Sequence, residues 1–435
     1  MNNKHLAVFL IPGLSARLLE NMEYCPALTD LARRTRMRVV KPALPAVTCS
    51  MQATYSTGLT PGEHGVVANG NYFPERRAVS LWEHSALMIR QPRIWDALKG
   101  ADPALTTAAL FWWNTLYSTA DVYMNVAPIH GAKGDIVSSC YSKPAGLYDE
   151  IEKELKPFPL HHFWGPMAGM PSSEWICGAT LRVLRKFRPN LLLTYVPELD
   201  YSPQKFGPDS QEARKDLKAL DTLLADTFSA CRAERAGVVV LSEYGMTPVA
   251  SAVMLNRVLR EKGLLAVRTV AGREYLDFAA SRAFAMVDHQ VAHVYVLDPS
   301  MREATRAALE TTPGVAKVLD EEGKKAAGID HAHSGDFVAL ADSDKWFAYY
   351  WWLDEAKAPE FAFTVDIHNK PGYDPCEMFF NPAKKRIETN TSVVKGSHGL
   401  VPADERDMAV CIGDLPGAER FAATDVMHAI VEWFK

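Results

Sequence analysis

Three short, strongly apolar segments constrain the fold of this chain more than any other feature. They are Leu6–Ile11, which is followed by Pro12 and Gly13, then Asn190–Val196 and Gly237–Ser242. A strand that is apolar on both faces must be covered on both faces, which is typical of the central strands of a parallel sheet. The segments therefore predict three buried strands.

Amphipathic segments accompany these strands. Glu174–Phe187 and Ser210–Arg235 place apolar residues three and four positions apart, with charged residues on the opposite side. This spacing predicts helices that bury one face. The alternation of strands and helices predicts an α/β fold, with a mainly parallel sheet flanked by helices. In such folds, functional residues lie in loops at the carboxyl ends of the strands.

The region 265–345 has a different order of predicted elements. The segments Ala292–Leu297, Gly314–Leu319 and Gly335–Ala341 are typical of strands, and Pro299–Thr312 is typical of a helix. A β-α-β-β order within so short a stretch predicts a small α+β cap inserted into the larger sheet. The α/β core would then comprise residues 1–264 and 346–435.

The composition narrows the class of protein. The 435 residues are 48% hydrophobic, and 47 Lys and Arg against 52 Asp and Glu give a net charge of −5. Such a chain can bury a large core, and its small charge gives no electrostatic reason to expect a nucleic-acid polymer as a partner. No apolar run approaches ~18 residues, so we expect no membrane span, no signal-peptide core and a soluble, cytoplasmic protein.

The cysteines and aromatic residues predict packing rather than chemistry. Seven scattered cysteines without a CxxC pair argue against a disulfide framework or a zinc ribbon, and favour buried thiols in a reducing compartment. Two aromatic clusters, Phe111–Trp113 and Tyr349–Trp352, are interpreted as core or seam packing rather than as pocket walls. Whether the chain forms a homodimer through such a seam stays an open question.

Thr48 precedes a predicted helix, Cys49–Ser56. The free N–H groups and the dipole at a helix N-terminus favour an anion such as phosphate. From its position alone, Thr48 is better interpreted as an N-cap residue. Cys49, at the same helix end, is an alternative nucleophile, but a small buried residue is the better interpretation of it.

The segment Thr57–Asn69 contains the string Thr-Gly-Leu-x-Pro-x-x-His-Gly-Val-x-x-Asn. Together with Thr48, it resembles the alkaline-phosphatase superfamily, in its nucleotide pyrophosphatase/type I phosphodiesterase branch, to which phosphonoacetate hydrolases are related. The resemblance implies that Thr48 is the transiently phosphorylated nucleophile and that Asn69 steadies a phosphoryl oxygen. His64 corresponds to a turn position and is expected to be structural.

Three later segments match the family's metal-binding motifs in the family's order. They are Tyr195–Asp200, Leu241–Met246 and Lys395–Gly399. The resemblance implies two metal ions, usually zinc, that activate the nucleophile and clamp the phosphoryl oxygens. The metal-ligand positions that it transfers to this chain are Asp200, Gln204, Glu243, Tyr244 and His398.

This chain departs from the family pattern at several of these positions. Pro12 stands where the family has its first Asp ligand, Gln204 replaces a His, and Glu243-Tyr244 replaces Asp-His. An amide and a neutral phenol are weak zinc ligands. We therefore expect one divalent ion or none rather than two, with Mn²⁺ or Mg²⁺ as alternatives to zinc.

Other residues are candidates for the missing ligands. Asp366 and His368 are favoured because they would share a face if extended and because a Pro-Gly turn follows them. Asp288-His289 with His293 forms a second cluster, since His289 and His293 would share a face in a strand. The third cluster is Asp330-His331 with His333. In each cluster a hydrogen-bonded or surface histidine is the default interpretation.

The resemblance and the departures together define the expected function. We expect a metal-dependent hydrolase of a small-molecule phosphodiester, pyrophosphate or phosphonate, with Thr48 as nucleophile. Tyr244 would stabilise developing negative charge as a hydrogen-bond donor. The alternatives are a non-hydrolytic protein that keeps the phosphate pocket without metals, and a phosphoryl transferase or mutase.

Overall fold

The computed structural model describes residues 4–132 and 135–435. Its two larger sheets are built from strands β1–β13, numbered in chain order. These strands are β1 (His5–Leu10), β2 (Met37–Lys41), β3 (Thr107–Leu110), β4 (Val122–Val126), β5 (Cys140–Lys143), β6 (Leu191–Tyr195), β7 (Ala236–Leu241), β8 (Ala283–Asp288), β9 (Val291–Val296), β10 (Val315–Leu319), β11 (Phe337–Ala341), β12 (Ala409–Ile412) and β13 (Phe421–Ala422).

The larger sheet of the described residues has nine strands in the order β13-β2-β12-β7-β1-β6-β3-β4-β5. Its centre, from β7 to β4, is parallel, and β12 and β5 pair antiparallel to their neighbours. The three predicted apolar strands are β6, β1 and β7, with β1 between the other two. All six residues of β1 are buried, as covering on both faces requires. The predicted α/β class with a mainly parallel sheet is confirmed.

Helices cover the faces of this sheet. The two predicted amphipathic helices are confirmed as α7 (Met170–Phe187) and α9 (Gln211–Ala233). Helix α7 begins four residues before the predicted start, and Ser210 caps α9 through its side chain. The helices are α1 (Ala16–Leu19), α2 (Pro26–Arg34), α3 (Thr48–Thr57), α4 (Pro61–His64), α5 (Ile94–Ala101), α6 (Leu147–Leu155), α7 (Met170–Phe187), α8 (Tyr201–Phe206), α9 (Gln211–Ala233), α10 (Leu255–Glu261), α11 (Arg302–Glu310), α12 (Glu321–Ala326) and α13 (Asp425–Phe434). None of the described helices combines the length and the apolar character needed to cross a bilayer.

The second sheet is antiparallel and has the order β8-β9-β11-β10 within the described residues. Strands β9, β10 and β11 and helix α11 lie where the sequence predicted them. Strand β8 was not predicted. It forms a hairpin with β9 through His289 and Gln290, and His289 adopts a positive φ of 57°. This turn brings Asp288 and His289 toward the nine-stranded sheet.

Shorter ladders join the loops around the two sheets. Apolar side chains from the second sheet pack with the buried aromatic segment 346–352 in a core of their own. The two-stranded ladders are Gly70–Phe73 with Ala78–Leu81, Ile129–His130 with Ile136–Val137, Thr247–Pro248 with Gly396–Ser397, Ser251–Val253 with Lys345–Phe347, Val267–Val270 with Arg273–Leu276, and Phe380–Asn381 with Arg386–Ile387.

Candidate functional site

A cavity of about 410 Å³ opens at the carboxyl ends of β6 and β7, beside the N-terminus of α3. Thr48, Asn69, Asp200 and Tyr244 line it, together with His289 from the hairpin of the second sheet. The motifs that the sequence analysis singled out therefore meet in one place, as expected for strand ends of a parallel sheet.

Thr48 is the first residue of α3, and Val47 takes the N-cap position. The Thr48 hydroxyl does not cap the helix. It donates instead to Glu243 Oε2 at 3.0 Å, and the side chain is only 4% exposed. The interpretation of Thr48 as an N-cap residue is therefore wrong. Cys49 is a buried thiol whose pKa is raised well above its ordinary value, first by burial. It is inert as a nucleophile in this state.

Both carboxylate oxygens of Glu243 accept hydrogen bonds. Gln52 Nε2 donates to Oε1 at 3.0 Å, while Gln52 Oε1 accepts the Trp113 N–H. Glu243 is fully buried, and burial raises its pKa well above the ordinary value, although the bonds from Gln52 and Thr48 oppose this. Gln52 thus holds the Glu243 carboxyl group in one orientation, within hydrogen-bond distance of the Thr48 hydroxyl. Gln52 was not identified from the sequence.

A second hydrogen-bonded chain begins at Asp200. Tyr244 donates to Asp200 Oδ1 at 3.0 Å, Gln204 Nε2 donates to Oδ2 at 2.9 Å, and Tyr373 donates to Gln204 Oε1 at 3.0 Å. Burial raises the pKa of Asp200 to about 7, while the bonds from Tyr244 and Gln204 lower it. The Tyr244 and Thr48 oxygens are 3.2 Å apart, so the two chains meet at the nucleophile candidate.

Four rings stack across the site. Tyr244 lies 3.6 Å from His398, His398 lies 3.7 Å from His289, and His289 lies 3.8 Å from Tyr373, measured between ring centroids. His398 Nδ1 faces the Ala46 carbonyl oxygen at 2.8 Å, and because a carbonyl only accepts, this nitrogen carries the hydrogen. His289 Nδ1 faces Asp288 Oδ1 at 2.7 Å. Both Nε2 atoms are buried without a hydrogen-bond partner among the described residues.

Asn69 joins this stack to the start of α3. Its Oδ1 accepts the Cys49 N–H at 2.9 Å, and its Nδ2 donates to Asp288 Oδ1 at 3.1 Å. Burial raises the pKa of Asp288 to about 6, against the lowering effect of the hydrogen bonds that this carboxylate accepts from the backbone N–H and the side chain of Asn69. The second histidine cluster of the sequence analysis thus lies partly in the site, through Asp288 and His289. His293 faces away, and its Nε2 donates to the Val67 carbonyl at 3.0 Å.

Asp366 and His368 are not extended but lie in a turn. The Asp366 carboxylate accepts from the backbone N–H of His368 and from Asn369, so its oxygens serve the turn itself. His368 is exposed and lines the cavity mouth, 3.4 Å from His130 between their Nε2 atoms. In the third cluster, His333 Nδ1 contacts the Gly65 carbonyl. The turn 366–369 does not bring Asp366 to the metal-ligand positions of the resemblance.

The side chains at the metal-ligand positions of the resemblance do not fit a centre of two metal ions. Pro12 offers no side-chain ligand, and the Tyr244 and Gln204 donors point at Asp200 rather than at open space. Within residues 4–132 and 135–435, no group of three or more His, Cys, Asp or Glu side chains is arranged to hold an ion. The Nε2 atoms of His289 and His398 have no hydrogen-bond partner among the described residues, and that of His398 lies 3.7 Å from Asp200 Oδ1.

Aromatic rings form much of the rest of the cavity wall, beside aliphatic side chains such as Leu81, Val126 and Ile367. Trp113 lies 5.2 Å from Trp82 between ring centroids, and both line the cavity, as do Trp164 and Tyr373. The Tyr349–Trp352 and Phe111–Trp113 clusters are both buried in hydrophobic cores as predicted, and Trp113 in addition lines the cavity. The Trp113 backbone N–H also donates to Gln52, which ties this wall to Glu243.

Comparison with solved structures shows the same fold. Phosphonoacetate hydrolase from Sinorhizobium meliloti 1021, in complex with phosphonoacetate, superposes with a TM-score of 0.65 at 18% identity and covers 100% of this chain and 96% of its own. Human ectonucleotide pyrophosphatase/phosphodiesterase 5 superposes with a TM-score of 0.63 at 14% identity, covering 99% and 95%. The predicted alkaline-phosphatase-like fold is therefore confirmed.

Sequence comparison agrees with the fold. A Schizosaccharomyces pombe protein named as an uncharacterized pyrophosphatase/phosphodiesterase is 24% identical over 272 residues, which are 61% of this chain and 49% of that protein. The chain thus spans about half the length of that relative. A family model described as "Type I phosphodiesterase / nucleotide pyrophosphatase" matches residues 6–374. The predicted resemblance is confirmed at the level of the family: the chain belongs to the type I phosphodiesterase/nucleotide pyrophosphatase family.

Proposed function

We propose that this chain hydrolyses a small-molecule phosphate or phosphonate ester through Thr48, with Glu243 as the general base. The hydrogen bond from the Thr48 hydroxyl to Glu243 Oε2, at 3.0 Å, is the observation that carries the proposal. A threonine hydroxyl needs a base or a metal beside it to act as a nucleophile, and a base must lie within hydrogen-bond reach of the proton that it takes. Gln52 fixes the orientation of that base.

The reaction balances through these two residues. Thr48 Oγ1 forms a bond to phosphorus as Glu243 takes its proton, and the bond to the leaving alcohol breaks. The leaving oxygen departs on the side of phosphorus opposite Thr48 and takes a proton from solvent, while Glu243 keeps the proton of Thr48. Water then attacks phosphorus from that opposite side and releases a proton to solvent. The bond from phosphorus to Thr48 Oγ1 breaks, Glu243 returns its proton to Thr48 Oγ1, and the phosphate or phosphonate is released.

The surroundings of Thr48 support a phosphoryl group there. Thr48 opens a helix of ten residues, whose N-terminal dipole favours negative charge. Asn69 lines the cavity beside it and is held between the Cys49 N–H and Asp288. The Tyr244 hydroxyl hydrogen points at Asp200, so its predicted role as a donor to the phosphoryl oxygen stays a prediction.

Substitution of the two central residues tests the proposal. With bis(4-nitrophenyl) phosphate or a 4-nitrophenyl phosphonate ester, we expect Thr48→Ala to abolish turnover and Thr48→Ser to retain part of it. Glu243→Gln should lower kcat by about 10²–10⁴-fold, the usual contribution of a general base. The control is Thr222→Ala, an exposed threonine in α9. Unchanged hydrolysis in Thr48→Ala would overturn the proposal.

The pH dependence provides a second measurement. Because burial raises the pKa of Glu243, the ionised fraction of this base grows as the pH rises through that raised value. We therefore expect kcat/KM to increase with pH on the acid side of its profile. The acid limb should disappear in Glu243→Gln, and persistence of the same limb in that variant would assign it to another group.

A hydrolase with a single divalent ion is the second candidate. It is favoured by the adjacent imidazoles of His289 and His398, whose buried Nε2 atoms have no hydrogen-bond partner among the described residues. The Nε2 atom of His398 also lies 3.7 Å from Asp200 Oδ1. Neutral imidazoles whose Nδ1 is hydrogen-bonded present Nε2 to zinc, manganese or similar ions. Plasma mass spectrometry of the purified protein would decide. About one ion per chain, lost in His398→Ala, favours this candidate; near-zero metal, with none taken up from added Zn²⁺, Mn²⁺ or Mg²⁺, excludes it.

A further inference from the structure

Two histidines from distant parts of the chain meet at the mouth of the cavity. His130 ends the short strand Ile129–His130, and His368 lies in the turn 366–369. Both side chains are exposed, and both line the cavity. Their Nε2 atoms are 3.4 Å apart and their ring centroids 5.2 Å apart. Neither histidine corresponds to a ligand position of the family's metal-binding motifs.

The spacing of the two rings is long for a hydrogen bond and fits a shared ion. With Zn–N bonds of about 2.1 Å at a tetrahedral angle, two imidazole nitrogens on one ion lie about 3.4 Å apart. Each ring centroid then lies about 3.2 Å from the ion, so the two centroids are about 5.2 Å apart. The interplanar angle of 78° is compatible with this, because an imidazole can turn about its bond to an ion.

The backbone on both sides of the pair is held in place. The His368 N–H donates to Asp366 Oδ1 at 2.9 Å, and the Asp366 N–H donates to the buried Glu377 at 2.9 Å. On the other side, His130 pairs with Ile136 in a two-stranded antiparallel ladder. The position of each ring is thus set by hydrogen bonds of its own segment, which favours a site that exists before an ion binds.

We propose that His130 and His368 form a site for a divalent transition-metal ion such as Zn²⁺, which links the two segments across the cavity mouth. Imidazole nitrogen suits zinc, copper and nickel, whereas Mg²⁺ and Ca²⁺ prefer oxygen ligands. Two protein ligands leave coordination positions for water or for an oxygen of a molecule in the cavity. The described residues that line the cavity include no Lys or Arg, so the ion would add positive charge at its mouth. The site would form whether or not Thr48 is the nucleophile.

A count of bound zinc tests the site. The full chain is stripped with a chelator and dialysed to equilibrium against Zn²⁺ in the presence of excess Mg²⁺, and bound zinc is counted by plasma mass spectrometry. We expect the unchanged protein to bind one ion more per chain than His130→Ala or His368→Ala. Loss of either ligand should weaken binding by more than about 100-fold, since even a partner behind a ligand contributes about 10–100-fold. Equal counts in all three proteins would overturn the inference.

Two further variants show whether the histidines act together. The double variant of His130→Ala and His368→Ala should bind as many ions as either single variant, because each substitution removes the same site. The matched control is His161→Ala, at another exposed position, which should bind zinc as the unchanged protein does. A count that falls by one ion in each single variant and by two in the double variant would contradict a shared ion.

His398→Ala separates this site from an ion beside Asp200. The ion at the cavity mouth should remain in His398→Ala, because His398 lies in the ring stack beside Thr48 and not at the mouth. Zinc that is lost in His398→Ala but kept in both His130→Ala and His368→Ala would belong to the central site, and would overturn the inference. Zinc that is kept in His398→Ala and lost in both mouth variants would support it.

Discussion

Tyr244 shows how a single residue changes the chemistry available at a strand end. Its hydroxyl hydrogen satisfies Asp200 Oδ1, and its ring stacks on His398 at 3.6 Å between centroids. A buried carboxylate thus keeps two neutral donors, Tyr244 and Gln204, and has no basic residue bonded to it. Burial raises the pKa of Asp200 to about 7, since neutral donors only partly offset the loss of water.

Removal of the Tyr244 hydroxyl should therefore be costly. In Tyr244→Phe, one oxygen of buried Asp200 loses its donor, and we expect the free energy of unfolding to fall by about 1–3 kcal/mol. Urea unfolding at neutral pH would measure this. The control is Tyr349→Phe, because the Tyr349 hydroxyl is buried without a hydrogen-bond partner among the described residues. Its removal should be neutral or slightly stabilising, and equal losses in both variants would contradict the argument.

The loop 364–378 is the element that brings Tyr373 to the site. Lys370 is almost completely buried and contacts Asp374 Oδ2 at 2.8 Å and Glu377 Oε1 at 2.6 Å. Burial opposes its charge, but the two carboxylates outweigh this effect and raise the pKa of Lys370 above its ordinary value. Gly372 then allows the chain to run against Val287, since a Cβ there would lie 2.3 Å from the Val287 carbonyl oxygen.

Neutralising Lys370 should loosen this loop. Lys370→Met leaves two buried carboxylates uncompensated, so we expect a loss of about 3–5 kcal/mol in the free energy of unfolding. Lys384→Met is the control, because Lys384 is exposed and its pair with Glu388 is long at 3.9 Å, so its loss should cost less than about 1 kcal/mol. If Lys370→Met does not fold, Glu377→Gln gives a milder test, with faster proteolysis of the loop as the readout. Stability and proteolysis like those of the unchanged protein would contradict the role of Lys370.

Local hydrophobic patterns correctly predicted the strands in which consecutive residues are all apolar and buried. Strands β1, β6 and β7 are recognisable because each is apolar on both faces. Strand β8 was not predicted, because its hairpin turn has His289 at a positive φ instead of a glycine or asparagine. The sequence therefore carries no turn signal at the end of this strand. The helix start at Thr48 was predicted correctly to within one residue.

The site was predictable only where a motif is local. Thr48, Asp200, Glu243 and His398 could be identified in sequence order, but the stack of His289 on His398 joins residues that are far apart in the chain. The same holds for Tyr373 and Gln204. In two of the three candidate clusters the default interpretation, a hydrogen-bonded or surface histidine, describes His333 and His368. A single sequence does not tell which face of a segment meets the site.

On the scale of the whole molecule, buried histidines couple stability to pH. His64, the last residue of α4, is 1% exposed and contacts Thr54 Oγ1 at 3.0 Å through Nε2, while Nδ1 accepts the Val66 N–H. Burial lowers its pKa to about 3, with His331 adding to the effect. His293 behaves alike, with its pKa lowered by burial to about 4. The folded state thus keeps these imidazoles neutral where the unfolded chain binds protons.

The sign of the effect follows from proton uptake. Below the unfolded pKa of 6.5, the unfolded state gains a proton at His64 that the folded state does not, so stability falls as the pH falls toward about 3. Between pH 6.5 and 4.5, this one group should remove about 2 kcal/mol. Buried carboxylates such as Asp288, with its pKa of about 6, act in the opposite direction, so the total curve alone does not isolate the histidine.

A variant isolates the contribution of His64. In His64→Asn, the amide oxygen can still accept the Val66 N–H, but the side chain does not titrate. The mutation itself changes the stability at pH 6.5 by some amount, and from that value the variant should lose less stability on acidification to pH 4.5 than the unchanged protein loses. We expect the fall in the free energy of unfolding across this interval to be smaller by about 2 kcal/mol than in the unchanged protein. Urea titrations at both pH values measure it, and His161→Asn, at an exposed position, is the control. Parallel pH curves for His64→Asn and the unchanged protein would show that His64 titrates alike in both states, and would place the acid sensitivity of the fold in other buried groups.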